Sequence, residues 1–245
     1  MLHAATLPLE SNVALALVHD AGGENDRKLI APTIAAYINL HGKPELAAAQ
    51  ASREAGNAPN AVLAAAAAIV GPKRQQAARE ALRGMIERFH AAGLGNEFGA
   101  SLSESFDIAQ VDASGLNLTT GNPDPQAERL LAGVRARGAR SVFLRWLSKQ
   151  PGHPTEAAVL AAISATLAWG PLSRKRISRA TAESFPWWLQ LFGTLIGASA
   201  DASKHEAGRF CVPLVGGHVG GANDLARRIA DGLAATAVVT TATDA

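Results

Sequence analysis

The chain has 245 residues but only one cysteine, one tyrosine and two methionines. With Cys211 alone it forms no internal disulfide and no cysteine-based zinc site, and a reducing cytoplasm fits it best. Charge is sparse too. Asp, Glu, Lys and Arg make up 18% of the residues and the net charge is +2. That balance implies no general nucleic-acid surface. The first residues, MLHAATLPLESN, lack a basic stretch followed by an apolar one. No export signal is expected there. His3, His41, His90 and His153 show no metal-ligand spacing, so no metal site is expected. There is no fixed-period repeat. A long uncharged run occurs at Ser184–Ala200 (SFPWWLQLFGTLIGASA), behind the basic residues Arg174, Lys175, Arg176 and Arg179. It falls short of the roughly 20 residues a membrane span needs. Its Pro186 suits a first helical turn. We therefore expect a buried helix and no membrane partner.

Hydrophobic residues make up 48% of the chain, which is ample for a packed core. Most of the chain reads as helix. Pro59–Val70 (PNAVLAAAAAIV) is an alanine-rich helix stopped by Gly71-Pro72. Lys73–Ala92 is amphipathic, with Ala78, Leu82, Met85, Ile86 and Phe89 at helical spacing. Asp124–Arg137 follows a turn in which Asn122 or Asp124 can cap. Thr155–Trp169 opens on Thr155-Glu156 and is expected to close at Gly170-Pro171. Ser173–Ala182 is basic on one side. Trp187 and Trp188 suit either a core or a subunit contact.

The character changes near Gly208. Arg209–Val215 (RFCVPLV) reads as a short strand. The loop GGHVGGAND, Gly216–Asp224, follows it. A helix capped by Asn223 or Asp224 runs to about Leu233, and Ala237–Thr241 reads as a second strand. This is a βαβ unit. A glycine loop between strand and helix lets backbone approach a ligand closely, and the helix N-terminus suits phosphate or carboxylate. A purely structural turn is the competing reading. The loop is not a P-loop, because no Gly-Lys-Ser/Thr follows. Its glycines at 216, 217, 220 and 221 do not make the dinucleotide fingerprint.

From Gly208 to Ala245 the sequence resembles the cobalt-precorrin-5A hydrolase (CbiG) family of cobalamin biosynthesis. The paired glycines, His218, Gly220-Gly221-Ala222-Asn223 and Thr240-Thr241-Ala242-Thr243-Asp244 carry the likeness. The resemblance implies opening of a lactone ring on a cobalt-corrinoid precursor with release of acetaldehyde. The cobalt would belong to the substrate, so no cofactor is implied. Substrate contacts would fall on Gly216, Gly217, Gly220, Gly221, Asn223, Thr240 and Thr241. His218 would act as general base or orient a carboxylate. A βαβ unit of this size cannot build its own core, so it is expected to pack on the helical body or on another chain.

Residues 10–205 weakly resemble the citrate synthase and citryl-CoA lyase superfamily. Asn60–Lys73, Gly121–Gly138, His153–Ile163 and Phe185–Ala200 follow that family's order of elements. Its catalytic histidines have no counterpart at Gly71–Gln76 or Gly115–Leu118, and the late arginine is missing. The resemblance implies acyl-CoA binding without the usual catalysis, with Arg174, Lys175 and Arg176 meeting the coenzyme A phosphate. Such a basic cluster is more often a solvated helix face. His19, Asp20, Glu24 and Asn25 (in HDAGGEN) read as a solvated loop.

The expected fold is mainly α: an alanine-rich, citrate-synthase-like helical domain over 1–205 and a small βαβ glycine-loop module over 206–245. The expected function is corrinoid biosynthesis, with a small-molecule substrate bound at GGHVGGAND. Acyl-CoA binding and a non-enzymatic helical oligomer are the alternatives. A homo-oligomer is the default assembly.

Overall fold

A computed structural model describes residues 7–95, 106–112 and 118–202. The βαβ unit expected over 206–245, with His218, the loop glycines, Asn223, Thr240 and Thr241, lies outside the described residues.

The protein is mainly α, as expected. The order is α1 Leu9–Val18, α2 Glu24–Ile38, α3 Pro44–Glu54, α4 Pro59–Ile69, α5 Gln76–Ala91, α6 Pro125–Ala136, α7 Val142–Leu147, α8 Glu156–Ser173, α9 Arg179–Glu183 and α10 Phe185–Ala202. Short 3-10 turns fall at Pro72–Gln75 and Ile108–Gln110. A two-stranded antiparallel ribbon pairs β1 Leu118–Thr119 with β2 His153–Pro154, opposing Leu118 to Pro154 and Thr119 to His153.

The centre of the molecule is α8. Every residue from Ala158 to Pro171 is buried. A helix apolar on all sides must be covered on all sides, and α5, α6 and α7 pack around it. Its length and composition would suffice for a membrane span, yet here its surface is taken up inside the protein. Phe89, Phe143, Trp146 and Trp169 form a chain of ring contacts beside it, with centroids 4.4–5.6 Å apart. In the other half, α10 packs on α2, α3 and α4. The two glycines of Gly193-x-x-x-Gly197 make this possible. A β-carbon at Gly193 would stand 2.5 Å from Tyr37 Cβ and 2.6 Å from the Ile34 carbonyl. One at Gly197 would collide with the Ile38 carbonyl.

Capping explains where several helices begin. Asp124 accepts hydrogen bonds from the backbone N–H groups of Gln126 (2.9 Å) and Ala127 (3.4 Å), and its other oxygen accepts from Glu156 N–H (2.6 Å). One carboxylate thus serves the N-termini of both α6 and α8, where the partial positive charge favours it. Thr155 caps α8 through Ala158 N–H (3.3 Å).

Two local expectations are corrected. The first is the end of α8. Gly170-Pro171 does not close it, and the helix runs on to Ser173. A proline here costs one backbone hydrogen bond, and complete burial of the surrounding turns outweighs it. The helix stops instead in a Schellman motif. Lys175 takes a left-handed conformation (φ 55°), its N–H donates to Leu172 O (2.9 Å), and Arg176 N–H donates to Pro171 O (2.9 Å). The second correction follows from the first. Ser173–Ala182 is not one helix with a basic side, because this cap splits it and α9 starts only at Arg179, after the Ser178 cap.

Candidate functional site

A cleft of about 600 Å³ opens between the α1–α2 loop, the C-terminal half of α8 and the link from α6 to α7. HDAGGEN builds one wall. His19 ends α1 in a left-handed conformation (φ 57°), and Gly22 turns the chain again (φ 69°). A side chain at Gly22 would strike Ala14 Cβ at 2.9 Å, so the close turn requires glycine. Gly23 N–H then donates to Asp26 Oδ2 at 2.8 Å, which starts α2.

The loop is solvated, as expected, with His19, Asp20 and Glu24 exposed, and it is also tied to the rest of the protein. Asn25 acts as a clamp. Its Nδ2 donates to Arg140 O (2.9 Å) and its Oδ1 accepts from Arg140 N–H (2.7 Å). A single side-chain amide thus pairs with both polar groups of one peptide residue. Arg176 Nη1 meets Asp20 Oδ2 at 2.7 Å, and Lys28 Nζ meets Glu24 Oε1 at 2.7 Å.

Charges of both signs face the cleft: Asp20, Glu24 and Asp26 against Lys28, Arg140 and Arg174. Burial holds the Asp26 carboxyl above its usual range, and the Gly23 N–H opposes that rise. Lys28 holds Glu24 below its usual range through its hydrogen bond. With the N-terminus of α2 at its edge, the cleft offers donors and cations to a small polar or anionic molecule. Its described lining holds no histidine, cysteine or serine. No cluster of three or more His, Cys, Asp or Glu able to hold a metal ion occurs among the described residues.

The expected coenzyme A cluster is only partly assembled. Arg174 lines the cleft. Arg176 is committed to Asp20. Lys175 sits between them at the left-handed cap position, so the three charges do not share a helix face. Lys28, Arg140 and Thr166 also line the cleft, and no sequence motif marks them. Their only sequence signal would have been proximity to HDAGGEN, and that holds for Lys28 alone.

A second, smaller cavity of about 130 Å³ lies where α2, α8 and α10 meet, lined in part by Tyr37, Glu45, Arg74, Gln75, Glu156 and Gln190. Its polar groups largely satisfy one another. Tyr37 Oη donates to Glu156 Oε1 (2.7 Å), Arg74 Nη1 pairs with Glu45 Oε1 (2.6 Å), and Gln75 Nε2 donates to Gln190 Oε1 (2.5 Å). Burial and the facing Glu156 push the Tyr37 hydroxyl well above its usual range. The arrangement holds helices together.

Comparison with known proteins adds one finding. Residues 203–244 match the family model described as Cobalamin synthesis G, N-terminal. The match covers well under half of the chain. No curated protein and no solved structure matches the chain, so the citrate-synthase-like reading of residues 10–205 rests on sequence pattern alone. The C-terminal segment resembles cobalamin-synthesis proteins, and this resemblance links the chain to that biosynthesis and to no particular step of it.

Proposed function

We propose that the chain acts in cobalamin biosynthesis by binding a carboxylate-rich cobalt-corrinoid precursor at GGHVGGAND. The observation that supports this reading is the family match over 203–244. The chemistry agrees with it. Corrinoid precursors carry many carboxylates, and a glycine loop leading into a helix N-terminus supplies backbone donors for them. Gly216, Gly217, Gly220, Gly221 and Asn223 would form the cradle, with Thr240 and Thr241 nearby. His218 would take the proton of an attacking water as general base in lactone opening, or hold a substrate carboxylate in place.

A second reading, acyl-CoA binding by the helical body, is favoured by a specific observation. Arg174 opens into the 600 Å³ cleft together with Arg140 and Lys28. Both readings are tested in one thermal-shift experiment on the full chain. A ligand at 100 times its dissociation constant adds about 2.7 kcal/mol of stability. The expected result is a shift with a cobalt-corrinoid precursor that His218→Ala reduces. A shift with coenzyme A alone, lost in Arg174→Ala, would replace the first reading with the second. No shift with either ligand would leave neither standing.

A further inference from the structure

The smaller cavity, at the junction of α2, α8 and α10, holds one polar group that helix packing leaves unsatisfied. Glu45 stands in the first turn of α3 and is 1% exposed. Its Oε1 pairs with Arg74 Nη1, but its Oε2 has no hydrogen-bond partner among the described residues. A buried acceptor without a donor is costly and rare in folded proteins. Three more buried polar side chains line the same cavity: Gln75, Gln190 and Thr194. Gln190 gives its oxygen to Gln75, so its amide nitrogen remains available as a donor. Gln190 and Thr194 lie one helical turn apart on α10 and so share a face.

Charge is graded from the interior to the mouth. The acid Glu45 is buried and Glu156 is half-buried, with Asp124 behind it accepting from Glu156 N–H. Lys43 and Asn39 are exposed and mark the mouth. The interior therefore lacks a donor, and a charged donor makes the stronger hydrogen bond to a carboxylate. The mouth and the α10 side offer donors to an acceptor. The volume of about 130 Å³ limits the occupant. A cavity of about 150 Å³ takes one six-membered ring, so this one has room for roughly five non-hydrogen atoms.

We propose that this cavity binds a small primary ammonium compound with a carbonyl or carboxylate at its other end, an amino acid or amino-acid amide of the smallest size. The ammonium donates to Glu45 and Glu156, and the acceptor end meets Gln190, Arg74 or Lys43. The bound molecule ties α3 to α8 and α10. The cavity shares no lining residue with the larger cleft, and it is independent of what the glycine loop binds.

Tyr37 is the only tyrosine of the chain and it lines this cavity. Full-length protein carrying isotope-labelled tyrosine therefore gives one set of ring signals that reports on the site. At pH 7, glycinamide is expected to shift these signals saturably. Glycolamide, with a hydroxyl in place of the ammonium, is expected to leave them unmoved. Glu45→Gln should weaken glycinamide binding by about tenfold or more, the cost of losing one charge-assisted hydrogen bond. Thr194→Val, which removes a hydroxyl that makes no hydrogen bond in the fold, should weaken it several-fold and serves if Glu45→Gln does not fold. The helical circular dichroism of the variant used should match that of the wild type. Tyr37 signals that do not saturate with glycinamide would overturn the proposal. Equal affinity for glycinamide and glycolamide would also overturn it and assign the cavity to water. So would an affinity unchanged in a folded Glu45→Gln protein.

Discussion

Gly197 shows how much one missing methyl group decides. The α2–α10 contact is closed by backbone: the Ile38 carbonyl occupies the space a β-carbon would need. Gly133 plays the same part where α6 meets α2, since a β-carbon there would stand 2.8 Å from Pro32 Cβ. We expect Gly197→Ala to cost about 1–3 kcal/mol by overpacking, read as a lower denaturation midpoint. Gly71→Ala has open space around it and should stay within about 0.5 kcal/mol of the wild type. Equal midpoints for the two variants would show that the helices can separate without loss. The small-xxx-small spacing of Gly193 and Gly197 was legible in the sequence. The partner was not, because Ile34, Tyr37 and Ile38 lie far back in the chain and nothing in the spacing names them.

At the scale of elements, helix starts were easier to read than helix ends. Asp124 and Thr155 cap by local hydrogen bonds, and local chemistry is written in neighbouring residues. The end of α8 was set by burial, which overrode the Gly170-Pro171 signal. Charge pairing between elements follows the same division. Glu183 of α9 is almost buried and accepts from Arg83 Nε (2.9 Å) and Nη2 (2.6 Å) of α5, with Arg179 Nε at 3.3 Å and Arg79 Nη2 at 3.9 Å. Arg179 also pairs with Glu87. The Arg83 hydrogen bond holds the Glu183 carboxyl below its ordinary range. A depressed carboxyl stabilises the fold above the unfolded-state pKa and loses that contribution as pH falls through the folded-state value. Glu183→Gln should therefore lower stability at pH 7, and its deficit should shrink as urea unfolding is repeated down towards pH 3. A deficit independent of pH would exclude the ionised carboxylate as the cause. Arg83 and Arg179 are each about half exposed, so added salt should weaken the effect.

At the scale of the whole molecule, the described body contains two unequal cores. The large one surrounds α8. The small one comprises Leu40, Ala49, Val62, Ala66, Ala198 and Ala202 between the α3–α4 hairpin and the end of α10. Opening free energies follow local burial. Native-state hydrogen exchange should give α4 amides markedly less protection than α8 amides. If α4 matched α8, the hairpin would belong to the same cooperative unit. The candidate cleft also belongs to this scale. It exists only because Asn25 clamps Arg140, 115 positions away, while Arg174 arrives from the end of α8.

By itself the sequence determined the helical character of the body, helix starts near Asp124 and Thr155, the apolar nature of α8 and α10, and the glycine-loop segment whose likeness to cobalamin-synthesis proteins the family match supports. These rest on periodicity, on hydrogen bonds between near neighbours, or on a contiguous motif. Only the tertiary structure decided that HDAGGEN forms a cleft wall, that Arg174 and Arg176 part ways at a left-handed Lys175, and that α4 buries Val62 and Ala66 while Ile69 stays exposed. Each depends on which distant surfaces meet, and burial acts on total apolar area without naming a partner.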